Sequence, residues 1–128
     1  MPVAVSGPNA DLSAVFFRVV LAGQSAEYVV QFLRDQPRRI LLGRQQLQNV
    51  VDHLTHAAAY LQASGADPAR LAYIQQLVLF YRGLLGQLGV LSAPANAGRV
   101  ADSVYNAQGS LLAAAPFLPV PASGVPGG

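Results

Sequence analysis

Apolar residues recur every seven positions from residue 12 to residue 61, a spacing that keeps one apolar seam of a helix facing a partner. The seam consists of Leu12, Val19, Ala26, Leu33, Ile40, Leu47, Leu54 and Leu61. A second series with helical spacing runs through Leu71, Ile74, Val78, Tyr81, Leu85 and Leu88. The pattern therefore predicts an all-α fold, a small bundle of four or five helices.

Glycine and capping residues divide the first part of the seam. A helix is predicted from residue 12 to about 22, and Gly23 followed by Ser25 indicates a stop and a new start. A β-hairpin is the alternative for residues 15–34, since Val, Phe and Tyr are frequent on both sides of the Gly-Gln-Ser stretch, which could form the turn. We favour helix because the apolar residues do not alternate, and the unbroken seven-residue phase across Gly23 also allows one bent helix.

The clearest local signal is the run of residues 64–68, Ser-Gly-Ala-Asp-Pro. Gly65 can take the left-handed conformation that ends a helix, Asp67 can cap the next helix, and Pro68 suits its first turn. With Pro37 near its start, one helix is predicted over residues 36–64 and its return helix over residues 69–91. Together they form a central antiparallel αα-hairpin.

The remaining chain is punctuated by proline and glycine. A last helix is predicted over residues 96–115. Residues 1–10 and 116–128 read as extended arms flanking a helical domain of residues 11–115, the second arm being a Pro/Gly-rich tail that is either disordered or laid on a neighbouring subunit. Gly83, Gly86 and Gly89 recur within the return helix, where each costs about 1 kcal/mol, which predicts either a close neighbour or early fraying.

Composition sets this chain apart from an ordinary soluble domain. Of the 128 residues, 52% are apolar and 11% are charged, against about 25% charged in a typical domain. Six acidic residues and eight arginines cover little of the surface of a monomer, so part of the exterior is expected to be buried against another copy or another protein. Arg18 and Arg82 interrupt the most apolar stretches, which argues against a membrane-spanning helix.

Several kinds of catalytic site are excluded by residues that the sequence lacks. It contains neither cysteine nor lysine and a single glutamate, Glu27. Thiol nucleophiles, thiolate metal sites, lysine Schiff bases and carboxylate di-iron sites therefore cannot be built from it. No serine lies in a Gly-x-Ser-x-Gly setting, and residues 1–10 do not resemble a signal peptide. We therefore expect a non-enzymatic protein without a cofactor.

Two clusters could still bind a ligand. His53 and His56 lie three residues apart and share a helix flank with Asn49 and Tyr60, which makes them weak candidates for a metal site that lacks a local third ligand. A polar contact face or solvated histidines are the simpler interpretation, so no metal is predicted.

The second cluster consists of Arg34, Arg38, Arg39 and Arg44, with Asp35 as the acidic residue among them. The formal net charge of +2 arises in this stretch. The cluster predicts a site for an anion or for an acidic partner, and the start of a helix after Pro37 would favour the same ligands.

The sequence thus predicts an interaction subunit of a larger protein assembly, a homo-oligomer or one that contacts other proteins. A viral particle is one hypothesis, because low charge, an apolar exterior and extended arms occur together there. The alternative is a small helical nucleic-acid-binding or regulatory protein that uses the arginine cluster, although nucleic-acid binders usually carry more basic charge.

Overall fold

A computed structural model describes residues 8–35, 39–65, 67–89 and 94–121, and within them the chain forms five α-helices and no strand. The helices are α1 (Pro8–Arg34), α2 (Ile40–Ser64), α3 (Pro68–Leu88), α4 (Pro94–Asn106) and α5 (Gln108–Leu112). The prediction of a small all-α bundle is confirmed. The β-hairpin alternative for residues 15–34 is wrong.

Helix α1 is continuous through the predicted break. Gly23 lies inside it, and Ser25, expected to cap a second helix, is buried in its middle. The prediction of two helices is therefore wrong, and the single-helix alternative is correct. The physical reason is that the buried face of α1 packs along α2 over its length, which outweighs the cost of one interior glycine.

The turn between α2 and α3 has the predicted chemistry. Gly65 has a φ of 66° and donates its N–H to the carbonyl of Leu61 at 2.9 Å. The carboxylate of Asp67 accepts a hydrogen bond from the N–H of Arg70 at 3.0 Å, and Pro68 begins α3. The antiparallel αα-hairpin is confirmed.

The helices run alternately up and down. Arg18 of α1 contacts His53 of α2, whereas Leu33 near the end of α1 lies beside Gly43 near the start of α2. Helices α4 and α5 return along α3 and α1 and together act as the fourth helix of the bundle. The predicted last helix of residues 96–115 is interrupted at Ala107, where α4 ends and α5 begins.

Both apolar series lie in the core. Of the seven-residue seam, Leu12 and Ile40 are partly buried and the other members are fully or almost fully buried. Apolar residues of the α4–α5 region complete the core, namely Ala97, Val100, Ala101, Val104, Ala107 and Leu111. The hydroxyl of the buried Tyr81 has no hydrogen-bond partner among the described residues, and burial raises the pKa of Tyr81.

The glycines of α3 do not have the predicted neighbour. Gly89 ends the helix with a φ of 71°, so α3 stops at Leu88 and not at residue 91. Gly83 and Gly86 are exposed, and a Cβ atom on either would meet no described atom within 4 Å. Within the described part of the chain, neither glycine is therefore required by a close contact.

The predicted arms fall largely outside the described residues, which leave out residues 1–7 and 122–128. Helix α1 begins at Pro8, so residues 8–10 are helical and not extended. Residues 116–121 contain no helix, yet Val120 packs against the core of its own chain.

Candidate interaction surface

Large apolar side chains remain exposed at ten positions of the described chain. They are Phe16, Phe17, Tyr28, Leu41, Leu42, Leu79, Tyr105, Leu112, Phe117 and Leu118. Half of them lie on the first half of α1, on α5 or on residues 113–121, here called the C-terminal segment. Such grouping is what distinguishes an interaction surface from the single exposed apolar residues that every protein carries.

A buried arginine fixes the C-terminal segment. The guanidinium of Arg70 donates to the Asp67 carboxylate at 3.0 Å and to the carbonyls of Ala113 at 3.2 Å and Ala115 at 2.7 Å. It also donates to the carbonyl of Leu118. These bonds hold three carbonyls that lie beyond the end of α5, and the side chain of Arg70 is only 5% exposed.

A second bond from α3 holds α5 itself. The Tyr73 hydroxyl donates to the carbonyl of Ser110 at 2.6 Å. The first part of the tail predicted over residues 116–128 is therefore attached to α3, through the carbonyl of Leu118.

This attachment places Phe117 against α1. The rings of Phe16 and Phe117 have centroids 5.7 Å apart and planes inclined by 53°, a geometry that aromatic pairs prefer. Phe117 is nevertheless 72% exposed. The pair therefore forms an apolar ridge on the outside of the bundle.

A cleft between α1 and α5 continues this ridge. Its lining residues are Val20, Gly23, Gln24, Glu27, Gln108, Leu111 and Leu112, and its volume is about 210 Å³. Val20 lies one helical turn from Phe16, so the ridge and the cleft are adjacent along α1. Because Gly23 has no side chain, Leu112 closes one side of the cleft near the α1 backbone, 3.6 Å from where a Cβ would be. We call the ridge and cleft together the α1/α5 surface.

One charged group lies in the cleft. Glu27 is exposed and forms no ion pair or side-chain hydrogen bond within the described part of the chain. The neighbouring charge on α1, Arg34, is already engaged: it pairs with Asp102 at 2.7 Å and lies over the ring of Tyr105 at 4.8 Å. Glu27 is therefore the charge that this surface offers to a partner.

Three of the four arginines of the predicted anion site belong to the described residues. Arg34 contacts α4, as described above, while Arg39 is exposed directly before α2 and donates its backbone N–H to the carbonyl of Phe32. Arg44 is half-buried on α2. Arg38 lies outside the described residues, so the cluster as a whole stays a prediction.

The two histidines have different surroundings. Arg18 of α1 donates to Nδ1 of His53 at 3.1 Å, which places the proton of the neutral ring on Nε2. Burial, followed by the charge of Arg18, lowers the pKa of His53, and the nearby Asp52 opposes this shift. His56 is exposed. Among the described residues, no group of three or more His, Asp or Glu side chains could hold a metal ion.

Sequence reasoning missed two features of this surface. Arg70 could have been noticed, since it shares the inner face of α3 with Tyr73 and Ile74 and lies three residues after Asp67. The cleft could not have been noticed, because it depends on α5 returning along α1.

Comparison with known proteins gives no relative: neither a family model, nor a curated protein, nor a solved structure matches the chain. None of the described helices has both the length and the apolar character that crossing a membrane requires.

Proposed function

We propose that this protein is a non-enzymatic subunit of a larger protein assembly and binds protein through its α1/α5 surface. The observation that carries the proposal is the ridge of Phe16 and Phe117, two exposed rings in mutual contact beside an apolar cleft. Exposed aromatic anchors next to a pocket are the features that dominate binding energy in protein interfaces.

The rigidity of the surface supports the same function. Phe117 stands on a segment whose carbonyls are bound by the buried Arg70, so the ring is positioned before any partner arrives. Little conformational entropy is then lost on binding, which favours affinity. The low charge of the chain is a further support, since an apolar exterior is stabilised when it is buried in an interface.

Nucleic-acid binding through the arginines has less support. Arg34 is paired with Asp102 and its charge is partly neutralised there. Four arginines would also give only a shallow salt dependence per subunit, because each phosphate contact contributes a slope of about 0.9 on duplex DNA.

Light scattering of the purified chain at micromolar concentration tests the proposal. We expect a mass above that of the monomer, and we expect Phe117→Asp to weaken association at least tenfold because it puts a charge on the ridge. Leu79→Asp is the matched control, because Leu79 is similarly exposed, at 67%, but lies on α3 away from this surface. A wild-type monomer that binds no apolar dye would contradict the proposal.

A further inference from the structure

We infer that the α1/α5 cleft receives the start of α2 from a second copy of the chain, so that copies join head to tail. The inference rests on the proposed function and names the partner of that same surface. It follows from the shape of the cleft, from an exposed leucine that fits it, and from complementary charges beside both.

The cleft has room for one aliphatic side chain. A cavity of about 150 Å³ lined by apolar residues is large enough to hold benzene, and the volume here is about 210 Å³. Val20, Leu111 and Leu112 supply apolar contacts. The ridge of Phe16 and Phe117 extends the same apolar surface beyond the cleft.

The start of α2 presents such a side chain. Leu41 is 73% exposed, the highest value among the large apolar residues that the structure describes, and Leu42 beside it is also exposed. Both belong to the first turn of α2, at an end of the bundle. We call Arg39, Leu41 and Leu42 the α2 knob.

The charges of knob and cleft are opposite. Arg39 of the knob is exposed, and within the described part of the chain its guanidinium forms no ion pair. Glu27 in the cleft is likewise without an ionic partner there. A leucine seated in the cleft brings a cation to the rim that carries the carboxylate, which aligns the two surfaces and disfavours the reverse orientation.

The knob of one chain cannot occupy the cleft of the same chain. Helix α2 packs on the side of α1 that carries Arg18, whereas α5 packs on the side that carries Gly23. A step of 100° per residue separates these two positions by about 140° around α1. Knob and cleft are therefore distinct patches, and a contact between distinct patches builds a ring or a filament.

Complementation between two variants tests the inference. We expect the wild type to form species of more than two copies, and we expect Leu41→Glu and Leu112→Glu each to be monomeric in analytical ultracentrifugation. An equimolar mixture of the two should contain a species of twice the monomer mass, because one intact knob meets one intact cleft and no further contact is available. Leu79→Glu should assemble like the wild type, and helical circular dichroism should be unchanged in all variants.

Charge reversal gives an independent test. Glu27→Arg and Arg39→Glu should each weaken assembly, at least tenfold at low salt, and the double variant should restore it. Additive weakening in the double variant would contradict the pairing.

The outcomes separate this inference from the proposed function. A wild type that assembles while Leu41→Glu has no effect would overturn the knob as occupant and leave the α1/α5 surface as an interface for another partner. A wild type that stops at the dimer, or a mixture that stays monomeric, would overturn the head-to-tail arrangement. A monomeric wild type would overturn the head-to-tail inference, and it would overturn the proposed function as well only if the monomer also binds no apolar dye.

Discussion

The glycines of this chain differ in what the structure requires of them. Gly65 and Gly89 end helices with positive φ, a conformation that other residues rarely adopt. Gly43 is in ordinary helical conformation but buried, and a Cβ built on it would lie 2.8 Å from Cγ of Leu33. Gly83 faces open space. Gly65 and Gly89 are therefore required by their backbone conformation, and Gly43 is required by close packing. Nothing within the described part of the chain requires glycine at Gly83.

Two alanine substitutions should consequently have opposite effects on the free energy of unfolding. Gly43→Ala should lower it by about 1–3 kcal/mol, because the buried Leu33 cannot move aside without disturbing the contact of α1 with α2. Gly83→Ala should raise it by about 0.5–1 kcal/mol, because alanine favours the helix and meets no neighbour. Urea denaturation of both variants measures the difference. A stabilised Gly43→Ala protein would show that α1 and α2 lie further apart there.

At the scale of elements, Arg70 joins three parts of the chain that are distant in sequence. Its guanidinium binds Asp67 in the α2–α3 turn and three carbonyls of the C-terminal segment. The segment has no helix of its own after Leu112, so these bonds substitute for regular secondary structure. The position of Phe117 on the α1/α5 surface depends on them.

Replacing Arg70 with methionine should therefore release the C-terminal segment. We expect a loss of about 2–4 kcal/mol in the free energy of unfolding, because buried carbonyls and the Asp67 carboxylate lose a charged donor. Chymotrypsin should cleave after Phe117 faster than in the wild type. Arg70→Lys should recover only part of the protection, since one ammonium cannot replace a planar fork with several donors. Equal cleavage rates in wild type and Arg70→Met would contradict this role.

The contact of Arg18 with His53 makes the packing of α1 on α2 sensitive to pH. The folded state lowers the pKa of His53 below its ordinary value of 6.5, so the unfolded chain binds the proton more tightly. Protonation would also remove the acceptor at Nδ1 and place two cations 3.1 Å apart.

Stability should therefore be highest above the unfolded pKa of 6.5 and should fall as the pH drops through that value towards the lower folded pKa. Thermal unfolding between pH 7.5 and about 5 measures this effect. His53→Gln should flatten the dependence, because a glutamine oxygen can accept from Arg18 without titrating. His56→Gln, at the exposed histidine that makes the smallest contribution to the lowered pKa of His53, is the control that should keep most of the dependence. A wild-type stability that rises as the pH falls through this window would contradict the prediction.

On the scale of the whole molecule, the bundle buries its seam but leaves an apolar exterior. Large apolar side chains remain exposed on α1, α2, α3, α4 and α5. Few charged residues are available to separate them. A bundle with this exterior gains stability when copies or partners cover it. Head-to-tail contact through the α2 knob and the α1/α5 cleft would cover two of these regions at once.

The sequence by itself determined the helical class, the turn at residues 64–68 and most of the core. These features follow from local rules: a seven-residue apolar repeat buries one face of a helix, and Gly65, Asp67 and Pro68 each satisfy a backbone requirement within a few residues. The prediction failed at Gly23 because the local stop signal was weaker than the packing along the whole of α1.

Only the tertiary structure decided where the C-terminal segment lies and what surface it creates. Residues 113–121 have no periodic pattern, and their position depends on bonds to Arg70, more than forty residues earlier in the chain. The cleft depends likewise on α5 returning beside Gly23 of α1. Contacts between residues so far apart in sequence leave no local pattern, because only folding brings the two contacting residues close together.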